Sequence, residues 1–118
     1  MSRNEEFSHG QVHHISHEQL ADLKAGDYDE TRMRDIVPAL QWDWDNSGEH
    51  PGDPEVVHSN EYEHGGPRPY IEHLKSDISK RGMDSPIDVS NGAVVDGHHR
   101  AAAAMELKMD KIPVVFHK

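Results

Sequence analysis

Apolar positions are unevenly patterned along this chain, and the clearest periodicity lies in its second half. After Pro69, the residues Tyr70, Ile71, Leu74 and Ile78 fall on one helical face. Proline suits a first helical turn, where its missing N–H has no partner to lose, and Gly82 after Arg81 predicts a left-handed cap. Pro86-Ile87-Asp88-Val89 reads as a short strand, Asn91-Gly92 as the two-residue turn of a hairpin, and Ala93-Val94-Val95 as its returning strand. The stretch 98–107, with Ala101 to Ala104, Met105 and Leu107, is a strong helix former. Ile112 to Phe116 is apolar throughout and predicts a last, central strand.

The first half carries weaker signals. Val12 to Ile15 fits a short strand. Ser16 followed by Gln19 is a capping box, in which each residue satisfies a free N–H of the other. A helix is expected from there through Leu20 and Leu23, stopping at Gly26. Met33, Ile36, Val37 and Leu40 have helical spacing, but Pro38 interrupts them. A proline inside a helix costs on the order of 3 kcal/mol, so a helix here is expected to end by Val37. Residues 1–11 are polar and expected to fray. Across 41–69, Trp42 and Trp44 alternate with Asp43 and Asp45, and Pro51, Gly52, Pro54, Gly65, Gly66 and Pro67 punctuate the rest. This predicts a long, irregular, acidic loop. The chain as a whole reads as one α/β domain over 1–118, a small mixed sheet flanked by helices, with its core in 70–116.

Composition narrows the chemistry. The 118 residues include no cysteine, which removes disulfides, thiolate metal sites and thiol catalysis. No apolar run reaches membrane-spanning length, and the start lacks the apolar core of a signal peptide, so a cytoplasmic protein is expected. The net charge of −10 is concentrated in residues 1–69, which hold 15 acids against 5 lysines and arginines; residues 70–118 hold 7 of each. An acidic front half opposes broad binding to a nucleic-acid backbone, which needs clustered Lys and Arg.

The densest chemistry is Asp96-Gly97-His98-His99-Arg100, between a strand end and a helix start. The first N–H groups of a helix have no internal partners and carry the positive end of its dipole. Gly97 allows close approach of a ligand to the backbone. Arg100 offers a planar fork for phosphate oxygens. His98 and His99 can donate hydrogen bonds, move protons or ligate a metal, and Asp96 can orient a histidine, accept a proton or hold a divalent ion. The plain alternative is a capped helix start with a solvated first turn.

Several segments in order resemble the ParB/sulfiredoxin superfamily. They are Tyr70-Ile71-Glu72-His73-Leu74-Lys75-Ser76-Asp77-Ile78, then Arg81-Gly82, then Ser85-Pro86-Ile87-Asp88-Val89, then Gly92 through Arg100 to Ala103, and last Ile112-Pro113-Val114-Val115. The resemblance covers nearly all of 70–116, with 12–40 placed to supply a first strand and helix. Members grip nucleotide phosphates with the Gly-x-x-Arg turn; they include CTP-binding partition proteins, ATP-using sulfiredoxins, free-serine kinases and proteins described as nucleases. The resemblance implies that Gly97, His98, His99, Arg100 and Ala101 line a phosphate pocket for a nucleoside triphosphate (ATP or CTP) with Mg2+. The chemistry of the side chains then assigns any catalysis to Asp96, His98 and His99, with Asp96 orienting a histidine or serving as the metal ligand. A nucleotide- or phosphate-binding domain follows as the expectation, with phosphohydrolase or nuclease activity. Sulfiredoxin chemistry needs a cysteine and is excluded. Partition proteins carry further domains after this one, so a complete partition protein is not expected; a single-domain phage or mobile-element member is. Lys108 stands where the family usually closes the helix with Gly, so a different cap is expected.

Two other features bear on function. His9, His13 and His17 are four apart, beside His14, which on one helix would make a metal-binding stripe; solvated polar residues are the rival reading. Trp42 and Trp44 fit either the edge of a core or, with the surrounding acids, a patch that binds a host protein. A non-enzymatic interaction module and a DNA-binding accessory protein are therefore the alternative functions.

Overall fold

Ile87, Val89, Val94, Ile112 and Val114 are all fully buried, and their placement along three strands fixes which way the sheet faces. A computed structural model of the chain describes residues 11–28 and 30–117. Its strands are β1 (Val12–Ile15), β2 (Lys24–Ala25), β3 (Ile87–Ser90), β4 (Ala93–Asp96) and β5 (Ile112–His117), in the sheet order β1-β5-β3-β4-β2. β3 and β4 form the expected antiparallel hairpin, turning through Asn91 and Gly92 with φ of 52° and 79°. β5 lies between β1 and β3, antiparallel to the first and parallel to the second, with Ile87 opposite Val114. β2 adds a short parallel edge beside β4. The sheet is therefore mixed, as expected.

The helices are α1 (His17–Asp22), α2 (Ile36–Asp45), α3 (Ser59–His64), α4 (Pro67–Arg81) and α5 (His98–Glu106), with a 3-10 turn at Met33–Asp35. The Ser16–Gln19 capping box is formed in both directions, at 2.9 and 3.1 Å. α5 is the organising helix. Ala101 to Ala104 are fully buried, and their small side chains let it pack against α4, α1 and β3 at once. Leu20, Met33, Ile36, Leu40, Ile71 and Ile78 complete the same core. Across the α4–α5 contact, Arg68 makes a two-pronged ion pair with Glu106 at 2.7 and 2.8 Å, and Lys75 joins it at 3.2 Å.

Several expectations are corrected. α1 ends at Asp22, and the next residues form β2 instead of running helically to Gly26. Gly26 does not cap a helix. Its N–H donates to the Val94 carbonyl at 2.7 Å, and a Cβ on it would meet that oxygen at 2.5 Å, so glycine is there for close approach. The helix around Pro38 begins at Ile36, which puts the proline third in its first turn, where no N–H is needed. It therefore runs on to Asp45 and carries both tryptophans. The 41–69 segment is accordingly not one irregular loop: it holds the end of α2, all of α3 and the start of α4. The turn between α2 and α3 is tied down by the Asp53 carboxylate, which accepts the N–H groups of Glu49 and Glu55 at 3.1 and 3.0 Å. Lys108 takes the left-handed conformation itself, φ 55°, and α5 closes on the usual pair of bonds, Lys108 N–H to Met105 and Met109 N–H to Ala104. The tail expected over 1–11 lies outside the described residues but for Gln11. Among the described residues, no helix is long and apolar enough to cross a membrane.

Candidate functional site

α5 starts on Gly97, whose φ of 92° and ψ of 28° are left-handed. That conformation turns the chain sharply from β4 into the helix. Gly97 has no side chain to cap the N–H groups of His98, His99 and Arg100, which precede the first intrahelical bond, Ala101 N–H to Gly97 at 2.8 Å. All three residues line a cleft of about 580 Å³. Its opposite wall comes from the 27–28 loop, α2, the 46–57 turn, α3 and the start of α4, including Asp27, Tyr28, Trp42, Trp44, Glu61 and Tyr70. The fold thus carries the 41–69 segment over the 96–100 turn.

The two histidines occupy different environments. His98 is 8% exposed, its ring edge-on to Tyr28 with centroids 5.8 Å apart. Its Nδ1 is 4.0 Å from Asp27, and its Nε2 is buried with no hydrogen-bond partner. Burial pushes its pKa below the ordinary value, with Asp27 pulling the other way. His99 faces Glu61 instead, its Nε2 hydrogen-bonded to the carboxylate. The Tyr70 and His58 rings flank it at 4.9 and 5.5 Å. Tyr28 is held protonated, its pKa raised first by burial and then by its hydrogen bond to Asp43.

Arg100 is partly committed to the fold. Its Nη1 donates to the carbonyls of Ser85 at 2.8 Å and Pro86 at 3.2 Å, pinning the entry to β3, while Nη2 lies 3.9 Å from Asp96. Asp96 itself is largely exposed and lines the cleft. Ala101 is buried with its N–H already bonded, so what it gives is packing room behind the turn and not a donor to phosphate.

The turn residues are therefore brought together as their adjacency required, but the structure adds Glu61, His58, Tyr70, Asp27 and Tyr28, which sequence reasoning did not assign to the site. The spacing of His58, Glu61 and His64 by threes is the only local signal that pointed at α3. Trp44 is half-buried against Gly52, whereas Trp42 is 65% exposed and does not close the core. The histidine stripe does not form: His13 and His14 lie on β1, His17 opens α1, and His9 is outside the described residues. Among the described residues, no three acidic or histidine side chains converge on a point where they could hold a metal ion. No family model, no curated protein and no solved structure matches this chain.

Proposed function

We propose that this chain is a nucleotide- or phosphate-binding domain of the ParB/sulfiredoxin kind, with hydrolysis of a phosphate linkage, as in a phosphohydrolase or nuclease, as its chemistry. The observation that carries the reading is the left-handed Gly97, after which His98, His99 and Arg100 begin α5 without a side-chain cap and line a cleft of about 580 Å³. A helix start of this form suits an anion, and the volume falls in the range of small-ligand pockets. Nη1 of Arg100 holds the backbone, and Nη2 lies 3.9 Å from Asp96, so a phosphate oxygen would compete with that carboxylate for Nη2. Tyr70, Trp44 and Trp42 supply aromatic surface for a base.

Asp27, Asp43, Glu61 and Asp96 also line this cleft, so a bare polyphosphate meets like charge there. Magnesium arriving on the phosphates answers this. The residues present do not make a resident metal cage, so Asp96 would meet such an ion as a single exposed ligand. A cytoplasmic setting fits a chain without cysteine.

Calorimetric titration with ATP, ADP, CTP and GTP, with and without magnesium, tests the reading. Saturable binding that Arg100→Ala weakens at least tenfold supports it. Because Arg100 also pins Ser85 and Pro86, the variant must be shown folded by its melting curve. No binding of any nucleotide by folded wild-type protein refutes the reading.

A second reading rests on Trp42. A tryptophan 65% exposed on a helix with Asp43 and Asp45 is the kind of anchor a protein interface uses. It predicts a basic protein partner lost in Trp42→Ala, with no nucleotide affinity.

A further inference from the structure

We infer that Glu61 is the positioning residue of a histidine base at this site: it accepts the Nε2–H of His99 and leaves Nδ1 of that ring as its proton acceptor. The inference rests on the phosphate-binding reading for the substrate, but the pairing stands on geometry of its own. Glu61 is 5% exposed, an unusual place for a carboxylate unless it is paired, and its hydrogen-bond partner is the His99 ring. The ring is restrained by Tyr70 and His58, with centroids 4.9 and 5.5 Å away, so it cannot turn to exchange its nitrogens without displacing them. His99 stands in the first turn of α5 and lines the cleft.

A carboxylate bonded to one ring nitrogen selects the tautomer with the proton on that side. The second nitrogen then holds a lone pair. The same bond stabilises the imidazolium that forms when the ring takes up a proton. With a nucleoside triphosphate in the cleft, a water oxygen bonds to the terminal phosphorus while the bridging P–O bond breaks. The electron pair of that bond stays on the nucleoside diphosphate. The water proton passes to Nδ1 of His99, and the ring later returns it to solvent. His98 is not suited to this step, because its Nε2 is sealed away. Glu61 acts on the reaction through His99.

The rival account is a tie between α3 and α5 with no part in chemistry. Nitrogen-15 NMR of the full chain reads the His99 tautomer, and phosphate release from ATP with magnesium reads the chemistry. The expected results are an Nε2–H tautomer in wild type, a mixture of tautomers in Glu61→Ala, and release at saturating ATP slowed on the order of 100-fold in Glu61→Gln. An Nδ1–H tautomer in wild type overturns the inference, and needs no variant to fold. So does unchanged release by folded Glu61→Gln, or ATP binding by wild type without any release; both leave the binding reading standing. No binding of ATP, ADP, CTP or GTP defeats the binding reading itself, and the base role with it.

Discussion

Nη2 of Arg100 lies 2.9 Å from the point where a Cβ on Gly97 would sit, so the guanidinium folds back over the start of its own helix. From there Nη1 reaches the carbonyls of Ser85 and Pro86. One side chain thus joins the turn, the helix and the entry to β3. Gly97→Ala would strain both partners. A left-handed conformation costs a residue with a Cβ about 1–2 kcal/mol, and the methyl would push the guanidinium aside. Urea denaturation should show a loss of about that size, together with weaker ATP binding. A loss of binding with full stability would mean that the methyl blocks the ligand directly.

Lys108→Gly should act in the opposite direction. Lys108 holds φ at 55° to close α5, a conformation glycine takes without strain. Relief of about 1 kcal/mol is offset in part by the greater freedom of glycine in the unfolded chain. A net gain of roughly 0.5 kcal/mol in unfolding free energy, read as a higher urea midpoint at unchanged slope, is expected. No gain would show that the lysine cap costs nothing here.

His98 makes stability depend on pH. Burial holds its pKa below the ordinary value of about 6.5, so the folded state favours the neutral ring. That contribution is whole above about pH 6.5 and is lost as pH falls from there through the folded value. His98→Phe keeps the ring against Tyr28 and removes both the titration and the unpartnered Nε2. Melting temperatures between about pH 7 and pH 5 should fall less in the variant than in wild type. Parallel curves would mean that His98 does not sense pH.

The ion cluster on α4 and α5 predicts a different pH window. Arg68 first, and then Lys75, hold the Glu106 carboxyl below the usual carboxylate range. The carboxylate therefore stabilises the fold above its ordinary pKa of about 4.3, and that share disappears as pH falls through the lower folded value. Arg68 is 44% exposed and Glu106 29%, so solvent screens the pair. Glu106→Gln should cost roughly 0.5–1 kcal/mol at neutral pH and low salt, and less at high salt or in acid. An effect that ignores salt would point to packing instead of charge.

The local elements of this fold were legible because their signals are local. The capping box at Ser16, the Asn91-Gly92 hairpin, the helix over the four alanines and the Ile112 strand depend on residues within a few positions of one another, and each formed where the pattern placed it. Pro38 misled for the same reason: a proline is a breaker inside a helix and harmless in a first turn, and the helix start at Ile36 was not marked by a side-chain cap. β2 is two residues long and exists because Lys24 and Ala25 meet Ala93 and Val94.

By itself, then, the sequence determined the helix and hairpin order of residues 70–116 and the grouping of Asp96, Gly97, His98, His99 and Arg100, because contiguous residues at a strand-to-helix turn must lie together. Only the tertiary structure decided which histidine is sealed against Tyr28 and which meets Glu61, that Arg100 spends half its fork on backbone, and that the exposed Trp42 lines a cleft. Glu61 and His99 are 38 positions apart, and no periodicity links them. They meet because α3 and α5 both pack on α4, and the burial that drives that packing acts without regard to separation along the chain.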